Sequence, residues 1–409
     1  MTETGPVRLA NAISTLAEHL ETIDRTESVP LQSADGRVLA AGVPAERPQP
    51  HYRRATRDGY AVRAVDTEAA TAVSPTMLDP TEGAIGPGEA AWVHTGSAVP
   101  EGADAVVMVE WTAETEAGIE VTESVEAGTH VVPVGADLEA GTTLFEAGHR
   151  LRPGDLGALK VAGVRTVSVI EPPTVAVIPT GEELVQADPG PGQVVESNGL
   201  VSAQLLDRWG MAPRYREVVT DERGALREAI ERDLDADLVL TSGGSSVGER
   251  DLLPGVVEDL GEVLLTELAV RPGHSAGIGV VDGTPIAMLP GTPMANLTLD
   301  WVLVRPALVR ALDTPLVGPP SVTAPLKSEL KSQPGRRTIH GVSLDGGVSE
   351  ASGHGLTSLS QIDGWVQVEE TRSAVPAGES VTVEQWGGCP RPVQSEADRE
   401  NNSEKSETR

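Results

Sequence analysis

The sequence predicts a multidomain α/β protein with a doubly wound α/β domain over residues 172–318. Three observations lead to this fold class. The chain has 409 residues, which is more than the ~250–300 that one hydrophobic core usually serves. After Pro172-Pro173, short apolar runs alternate with helical patterns, as they do in doubly wound sheets. On both sides of this segment, period-two patterns with glycine and proline breaks predict β-rich domains.

The segments before the α/β domain begin with an amphipathic helix over 7–20, followed by a strand or hairpin over 27–44. An exposed loop rich in proline and basic residues leads to Asp58-Gly59. From residue 61 to 132 the pattern predicts strands, and residues 133–170 predict a hairpin region, a short helix from Pro153 and a strand over 164–170.

The α/β domain itself shows six strand patterns and three helix patterns. The predicted strands cover 175–178, 215–219, 238–240, 263–269, 276–281 and 285–289. The predicted helices cover 198–209, with Ser197 as the N-cap, 222–233 and 294–312. Residues 319–389 predict a small C-terminal β-barrel or sandwich, and the polar segment 390–409 is expected to be disordered.

Polar residues follow three successive strands of this domain, and ligands bind at the carboxyl ends of strands in open α/β sheets. Thr180, Glu182 and Glu183 follow the first strand, and Asp221 follows the second. The third strand runs into a loop whose free amides and hydroxyls suit phosphate oxygens. Asp251 is near enough in sequence to hold a cation beside that phosphate. The alternative is an ordinary glycine and serine turn. The loop residues are Ser242, Gly243, Gly244, Ser245 and Ser246.

The composition argues against several classes of partner. The formal net charge is −30, which opposes binding to nucleic acid or to anionic lipid and is typical of a protein working in concentrated salt. Cys389 is the single cysteine, so an internal disulfide framework and a multi-cysteine metal site are excluded. No apolar run approaches the ~20 residues of a membrane helix, and no signal peptide is recognisable. We therefore expect a cytoplasmic protein with no membrane partner.

Several motifs, in this order and spacing, are those of a known family. The chain resembles MoeA, the molybdopterin molybdenumtransferase of molybdenum cofactor biosynthesis, and the related E domain of gephyrin. The resemblance covers residues 7 to about 388. The motifs that carry it are Arg57-Asp-Gly-Tyr-Ala61, Thr95-Gly96 with Gly102–Val107, Gly135-Ala-Asp137, Thr180–Leu184, Ser242–Glu249 with Asp251, Arg271-Pro-Gly273 and Pro290-Gly-Thr-Pro293.

The resemblance implies four domains. A linker domain would comprise residues 1–45 and 133–171, and a β-rich insertion domain would comprise residues 46–132. The α/β domain would be MogA-like and would be followed by the C-terminal β-barrel. The family also implies an elongated homodimer in which the insertion domain of the second subunit completes the active site.

For function, the resemblance implies Mg²⁺-dependent insertion of molybdate into adenylylated molybdopterin with release of AMP. Glu183, Asp221 and Asp251 would be the Mg²⁺ ligands, since Mg²⁺ prefers hard oxygen ligands. Matching positions also imply catalytic roles for Asp58, Thr95 and Asp137, with Asp58 and Asp137 in the dimer cleft. For Asp58, the alternative is an ordinary Asp-Gly turn residue. Residues expected to bind the substrates are the loop residues 242–246 with Arg271, His274, Ser275, Pro290 and Gly291.

Four positions depart from the family pattern: Glu267 and His274 stand where lysines are usual, Arg57 replaces a methionine and Thr292 replaces an asparagine. These changes keep a second function open, a catalytically weak paralogue that acts as a molybdopterin-binding scaffold or carrier. A third possibility is a nucleotide-pyrophosphate hydrolase. Expected partners are other cofactor biosynthesis proteins and the molybdoenzymes that receive the cofactor.

Overall fold

A computed structural model describes residues 5–244, 252–312, 318–351 and 362–385. The chain divides into two compact units, a larger one of residues 1–24 with 171–409 and a smaller one of residues 25–170. The predicted Ser245, Ser246 and Asp251 lie outside the described residues, as does the segment 390–409.

The larger unit is built on a six-stranded mixed sheet. Its first four strands run parallel, and the last two add antiparallel pairs. Consecutive residues of the second strand pack alternately into two cores: Val175 and Val177 into one, Ala176 and Ile178 into the other. A strand buried on both faces needs the continuous apolar run that predicted it. In spatial order the strands are Ala212–Tyr215, Thr174–Pro179, Leu238–Ser242, Thr284–Leu289, Gly277–Val281 and Glu262–Leu265.

Helices cover both faces of this sheet, which confirms the doubly wound prediction. One face carries Arg223–Arg232 and Leu253–Leu260. The other carries Leu9–Glu18 from the start of the chain, so this part of the predicted linker domain packs in the larger unit. That face also carries Asn198–Arg208, Pro293–Leu299, the π-helical turn Asp300–Val304 and Arg305–Leu312.

The structure corrects three predicted elements of this domain. The strand expected at 215–219 is Ala212–Tyr215, at the sheet edge, where Pro213 is tolerated because its missing N–H is not needed by a second neighbour. The helix expected at 294–312 is interrupted by the π-helical turn. The strand expected at 263–269 stops at Leu265, because the amide of Leu268 turns to the carbonyl of His274, 2.8 Å away.

The C-terminal part of the chain forms a second six-stranded sheet that begins with a strand from the α/β domain. Val270–Arg271 pairs in parallel with Arg337–Leu344. Leu330, Val342, Val366 and Val383 belong to the core under this sheet. The other strands are Gly364–Val368, Ser380–Gln385, Ser321–Pro325 and Val348–Glu350, and Leu330–Lys331 pairs with Ala374–Val375.

The smaller unit contains the predicted β-rich region as a third six-stranded sheet. Its core includes Tyr60, Leu78, Val107 and Ile119. In spatial order the strands are Ala105–Met108, Gly59–Val62, Glu89–Val93, Thr76–Pro80, Gly118–Val121 and Thr112–Thr115.

The rest of this unit consists of short strand pairs, short 3₁₀-helices and one α-helix, Pro153–Val161, and it has its own apolar core. The strand pairs are Thr26–Pro30 with Thr166–Ile170, Val43–Pro44 with Thr143–Phe145, and Arg54–Ala55 with Val131–Val132.

Two further observations concern the larger unit and the helices of both units. In the larger unit, Leu184–Val185 pairs with Val194–Val195. Among the described residues, no helix of either unit is both long enough and apolar enough to cross a membrane.

Candidate active site

The turn after strand Leu238–Ser242 has a backbone that favours glycine. Gly243 and Gly244 have φ values of +111° and +60°, in the region that residues with a Cβ rarely adopt. A Cβ on Gly243 would lie 2.1 Å from the carbonyl oxygen of Thr180. The amide of Gly243 donates a 3.0 Å hydrogen bond to the carbonyl of Leu289, which fixes the turn against the neighbouring strand. The close approach to Thr180 thus explains why a glycine stands at position 243.

Three strand ends that were predicted separately meet at this turn. Thr180 follows strand Thr174–Pro179, and its amide donates a hydrogen bond to the carbonyl of Ser242 at 2.9 Å. A Cβ on Gly244 would lie 3.2 Å from the Thr180 hydroxyl and 3.7 Å from Oδ1 of Asp221, so both side chains border Gly244. Pro290-Gly291 lies alongside, since a Cβ on Gly291 would be 3.6 Å from the Cα of Gly243.

Two threonine hydroxyls are buried at this edge of the sheet. Thr180 is 2% exposed and Thr241 is 1% exposed. Within the described part of the chain, neither hydroxyl oxygen has a hydrogen-bond partner. Buried polar atoms in native proteins are nearly always paired. The edge therefore has hydrogen-bonding capacity that the described residues around it do not use.

Glu183 lies on the loop that follows Thr180. Its carboxylate folds back toward Gly181, where an added Cβ would be 3.0 Å from Oε2. Glu183 and Asp221 offer the oxygen ligands that Mg²⁺ prefers. In the described ranges, however, no three His, Cys, Asp or Glu side chains are grouped closely enough to hold a metal ion. The third predicted ligand, Asp251, lies outside those ranges.

Arg271 ends the short strand Val270–Arg271, which is shared with the C-terminal sheet, and His274 and Ser275 lie on the loop that follows it. The side chains of Arg271 and His274 are exposed, and Ser275 is half-buried. Gly273 has a φ of +105° and packs on Leu299, which an added Cβ would approach to 2.9 Å. The loop therefore has a defined conformation that presents one guanidinium and one imidazole to solvent.

In the smaller unit, the structure brings Asp58 and Thr95 together. The backbone N–H of Thr95 donates a 2.6 Å hydrogen bond to Oδ1 of Asp58. This backbone hydrogen bond is the main reason that the pKa of Asp58 lies below its ordinary value. The Asp58 carboxylate therefore links two loops, and its catalytic role stays a prediction. Asp137 lies on another turn of this unit, where its amide donates to the carbonyl of Gln49 at 2.9 Å.

Comparison with known proteins identifies the family. The family model of the MoeA N-terminal region (domain I and II) matches residues 7–163, a "Probable molybdopterin binding domain" matches 176–310, and the MoeA C-terminal region (domain IV) matches 323–386. Molybdopterin molybdenumtransferase 2 of Mycobacterium tuberculosis is 33% identical over 88% of this chain and 95% of its own length. The chain belongs to the MoeA family.

Other members of the MoeA family agree with this assignment. The molybdopterin molybdenumtransferase of Bacillus subtilis is 32% identical over 71% of each chain. Among solved structures, a molybdopterin biosynthesis MoeA protein from Pyrococcus horikosii superposes with a TM-score of 0.81 at 33% identity, covering 94% of this chain and 100% of its own. The multidomain architecture predicted from the sequence, with its MogA-like α/β domain, is therefore confirmed.

One departure from the MoeA pattern has a structural partner. Glu267 stands where the resemblance leads us to expect a lysine, and its carboxylate accepts a 2.9 Å hydrogen bond from the guanidinium of Arg336. The two side chains are 37% and 29% exposed, respectively. The change of charge at position 267 is therefore offset by a cation from the C-terminal segment.

Sequence reasoning missed a set of contacts at the start of helix Asn198–Arg208. Ser197, the predicted N-cap, makes no side-chain capping bond; the buried Glu196 instead accepts from the amide of Gly199 at 2.6 Å. Asn198 donates to the carbonyl of Gly291 at 2.8 Å, which links this helix to the Pro290-Gly291 loop. Burial and a hydrogen bond with Glu196 raise the pKa of Tyr215 to about 12. The signal available in the sequence was Glu196-Ser197-Asn198, polar residues directly before a helix.

Proposed function

We propose that this chain is a molybdopterin molybdenumtransferase that inserts molybdate into adenylylated molybdopterin and releases AMP. The observation that carries the proposal is the convergence of Thr180, Asp221 and the Gly243-Gly244 turn at the carboxyl edge of a doubly wound sheet. Relatives named molybdopterin molybdenumtransferase are 33% and 32% identical to this chain over 95% and 71% of their own length. Molybdate and the adenylylated pterin are substrates in this proposal.

The described residues at this edge are suited to binding a phosphate group. Gly243 and Gly244 allow the backbone to approach phosphate oxygens without side-chain obstruction. The buried hydroxyl of Thr180 has hydrogen-bonding capacity for the same group. Asn198 holds the carbonyl of Gly291 and thereby positions the adjacent loop. Phosphoryl chemistry depends mainly on such positioning and on charge neutralisation.

Mg²⁺ dependence is part of the proposal. Glu183 and Asp221, together with Asp251, would hold the ion, which when bound neutralises negative charge on the phosphates. Arg271 and His274 would supply positive charge for the oxyanion. Asp58, Thr95 and Asp137 would have the catalytic roles that the family resemblance implies, with Asp58 and Asp137 in the cleft of the dimer. We further propose a cytoplasmic homodimer that passes its product to other biosynthesis proteins or to recipient molybdoenzymes.

The experiment incubates the purified chain with adenylylated molybdopterin, Mg²⁺ and molybdate, and measures AMP and metal-loaded pterin. The wild type should form both products, and Asp221→Asn should abolish both without lowering the unfolding temperature. Asp282→Asn is the matched control, because Asp282 is exposed on the turn before strand Thr284–Leu289, at the opposite edge of the sheet. Full activity of Asp221→Asn would refute the assigned site.

A carrier function is the second candidate, favoured by the exposed imidazole of His274 where the family has a lysine. A lysine ammonium carries a positive charge across neutral pH. If weak oxyanion binding limits the chain, His274→Lys should tighten molybdate binding at pH 8. If the wild type binds the adenylylated pterin but forms neither product, the carrier function is favoured. If it releases AMP without loading metal, the chain is a pyrophosphate hydrolase.

A further inference from the structure

An exposed tryptophan lies on the sheet of the smaller unit. Trp92 belongs to strand Glu89–Val93 and pairs with Tyr60 of strand Gly59–Val62. Tyr60 is 4% exposed, whereas Trp92 is 43% exposed. Isolated surface apolar residues are common and need no explanation. The surroundings of Trp92 set it apart, because its ring contacts two other rings, and one of these, His94, has its Nδ1 atom 3.9 Å from the Asp58 carboxylate.

The two neighbouring rings hold the indole without stacking parallel to it. The ring centroid of Tyr60 is 5.2 Å away at an interplanar angle of 78°, and that of His94 is 5.6 Å away at 82°. The indole N–H also donates to Nε2 of His94 at 3.3 Å. The phenol of Tyr60 is itself hydrogen-bonded to the carboxylate of Glu114. Trp92 therefore has a restrained orientation while nearly half of its surface is open to solvent.

A carboxylate lies next to this aromatic group. Nδ1 of His94 is 3.9 Å from Oδ1 of Asp58, and the Asp58 side chain is 52% exposed. Asp58 already accepts the backbone N–H of Thr95. An ionised carboxylate can accept about four hydrogen bonds, so Asp58 retains capacity for a ligand. The cluster combines an aromatic platform with a hydrogen-bond acceptor.

We propose that Trp92 and Asp58 form a binding subsite for the pterin ring of the substrate. A pterin is flat, so it can stack on the indole as nucleobases stack on aromatic side chains. One edge of the pterin carries an amino group beside a ring N–H, and two adjacent donors suit a carboxylate. Adenine offers one amino group beside a ring acceptor and matches a carboxylate less well. This inference rests on the proposed function, because that function supplies the pterin.

The test measures equilibrium binding of 6-hydroxymethylpterin and, separately, of AMP to the full-length chain by titration calorimetry. Loss of base–aromatic stacking weakens binding by roughly 5- to 150-fold, so Trp92→Ala should raise the Kd for the pterin about tenfold or more. Trp92→Phe should keep it within about threefold. Asp58→Asn should also weaken pterin binding. Met77→Ala is the control, since Met77 is 40% exposed on another strand of the same sheet.

Unchanged pterin affinity in Trp92→Ala would overturn the proposal, and so would a loss of AMP affinity without a loss of pterin affinity. Thermal unfolding checks that each variant is folded, and Trp92→Leu replaces Trp92→Ala if the smaller side chain destabilises the sheet. These measurements are independent of turnover. Absence of AMP release and metal loading in the wild type would refute the proposed function while leaving the pterin subsite standing.

Discussion

Asp300 is a buried carboxyl group whose replacement should change how stability depends on pH. It is 1% exposed at the start of the π-helical turn. Oδ2 accepts hydrogen bonds from the hydroxyl of Ser202 at 2.7 Å and from the side-chain amide of Asn296 at 3.2 Å. Burial raises the pKa of Asp300 from 3.8 to about 8, and the two hydrogen bonds oppose that rise. At neutral pH the group is therefore protonated in the folded chain.

The sign of the effect follows from the protons bound in each state. Between pH 3.8 and about 8, the unfolded chain has lost the Asp300 proton and the folded chain retains it, so the free energy of unfolding falls as pH rises. Below this window both states are protonated, and above it both are ionised. Each pH unit inside the window lowers the free energy of unfolding by about 1.4 kcal/mol. Asparagine is neutral throughout and preserves an oxygen acceptor for Ser202.

Urea unfolding of the wild type and Asp300→Asn between pH 5 and pH 7 tests this reasoning. The free energy of unfolding of the variant minus that of the wild type should rise by about 2.7 kcal/mol from pH 5 to pH 7. Comparing the two proteins cancels the titration of the other carboxylates. Asp282→Asn, which changes an exposed aspartate, should run parallel to the wild type. If the free energy of unfolding of Asp300→Asn also changes with pH in parallel to that of the wild type, Asp300 is already ionised in the folded chain. That result would refute the argument.

Three further predictions concern stability. Gly243→Ala should lower the free energy of unfolding by about 2 kcal/mol or more, because the added Cβ would meet the carbonyl of Thr180. Gly283 has a φ of +87° but nothing within 4 Å of an added Cβ, so Gly283→Ala should lower the free energy of unfolding by less in the same urea unfolding assay. Glu267→Lys should lower stability by about 1 kcal/mol, and Arg336→Glu in the same chain should restore it; no recovery would contradict the pairing. With a net charge of −30, the unfolding temperature should rise from dilute buffer to molar potassium chloride, and a flat profile would refute this.

The sequence located the central strands well because their pattern is unambiguous. Strands Thr174–Pro179 and Thr284–Leu289 are buried on both faces, so they appear as continuous apolar runs. Edge elements have weaker patterns. Ala212–Tyr215 contains a proline that the edge tolerates. The strand Val270–Arg271 pairs with residues more than 60 positions away, and no local pattern encodes that choice of partner.

The candidate site was predictable to the extent that it depends on strand ends. Asp221 and the Gly243-Gly244 turn were found because loops after parallel strands share one edge of a sheet. The links from Asn198 to Gly291 and from Asp58 to Thr95 were not predicted as contacts. They are hydrogen bonds between residues far apart in sequence, so they exist only once the fold has formed.

The pairing of Val270–Arg271 with Arg337–Leu344 affects how truncated versions of this protein should be interpreted. A chain cut after residue 318 would lose the neighbour that satisfies this strand, and the ion pair between Glu267 and Arg336 would go with it. The exposed strand edge would then be available for pairing with other chains. Loss of activity in such a truncation would reflect the disturbed strand Val270–Arg271 and aggregation through its exposed edge as much as any role of the C-terminal domain. Point substitutions on the outer surface of that domain are the cleaner way to assign it a function.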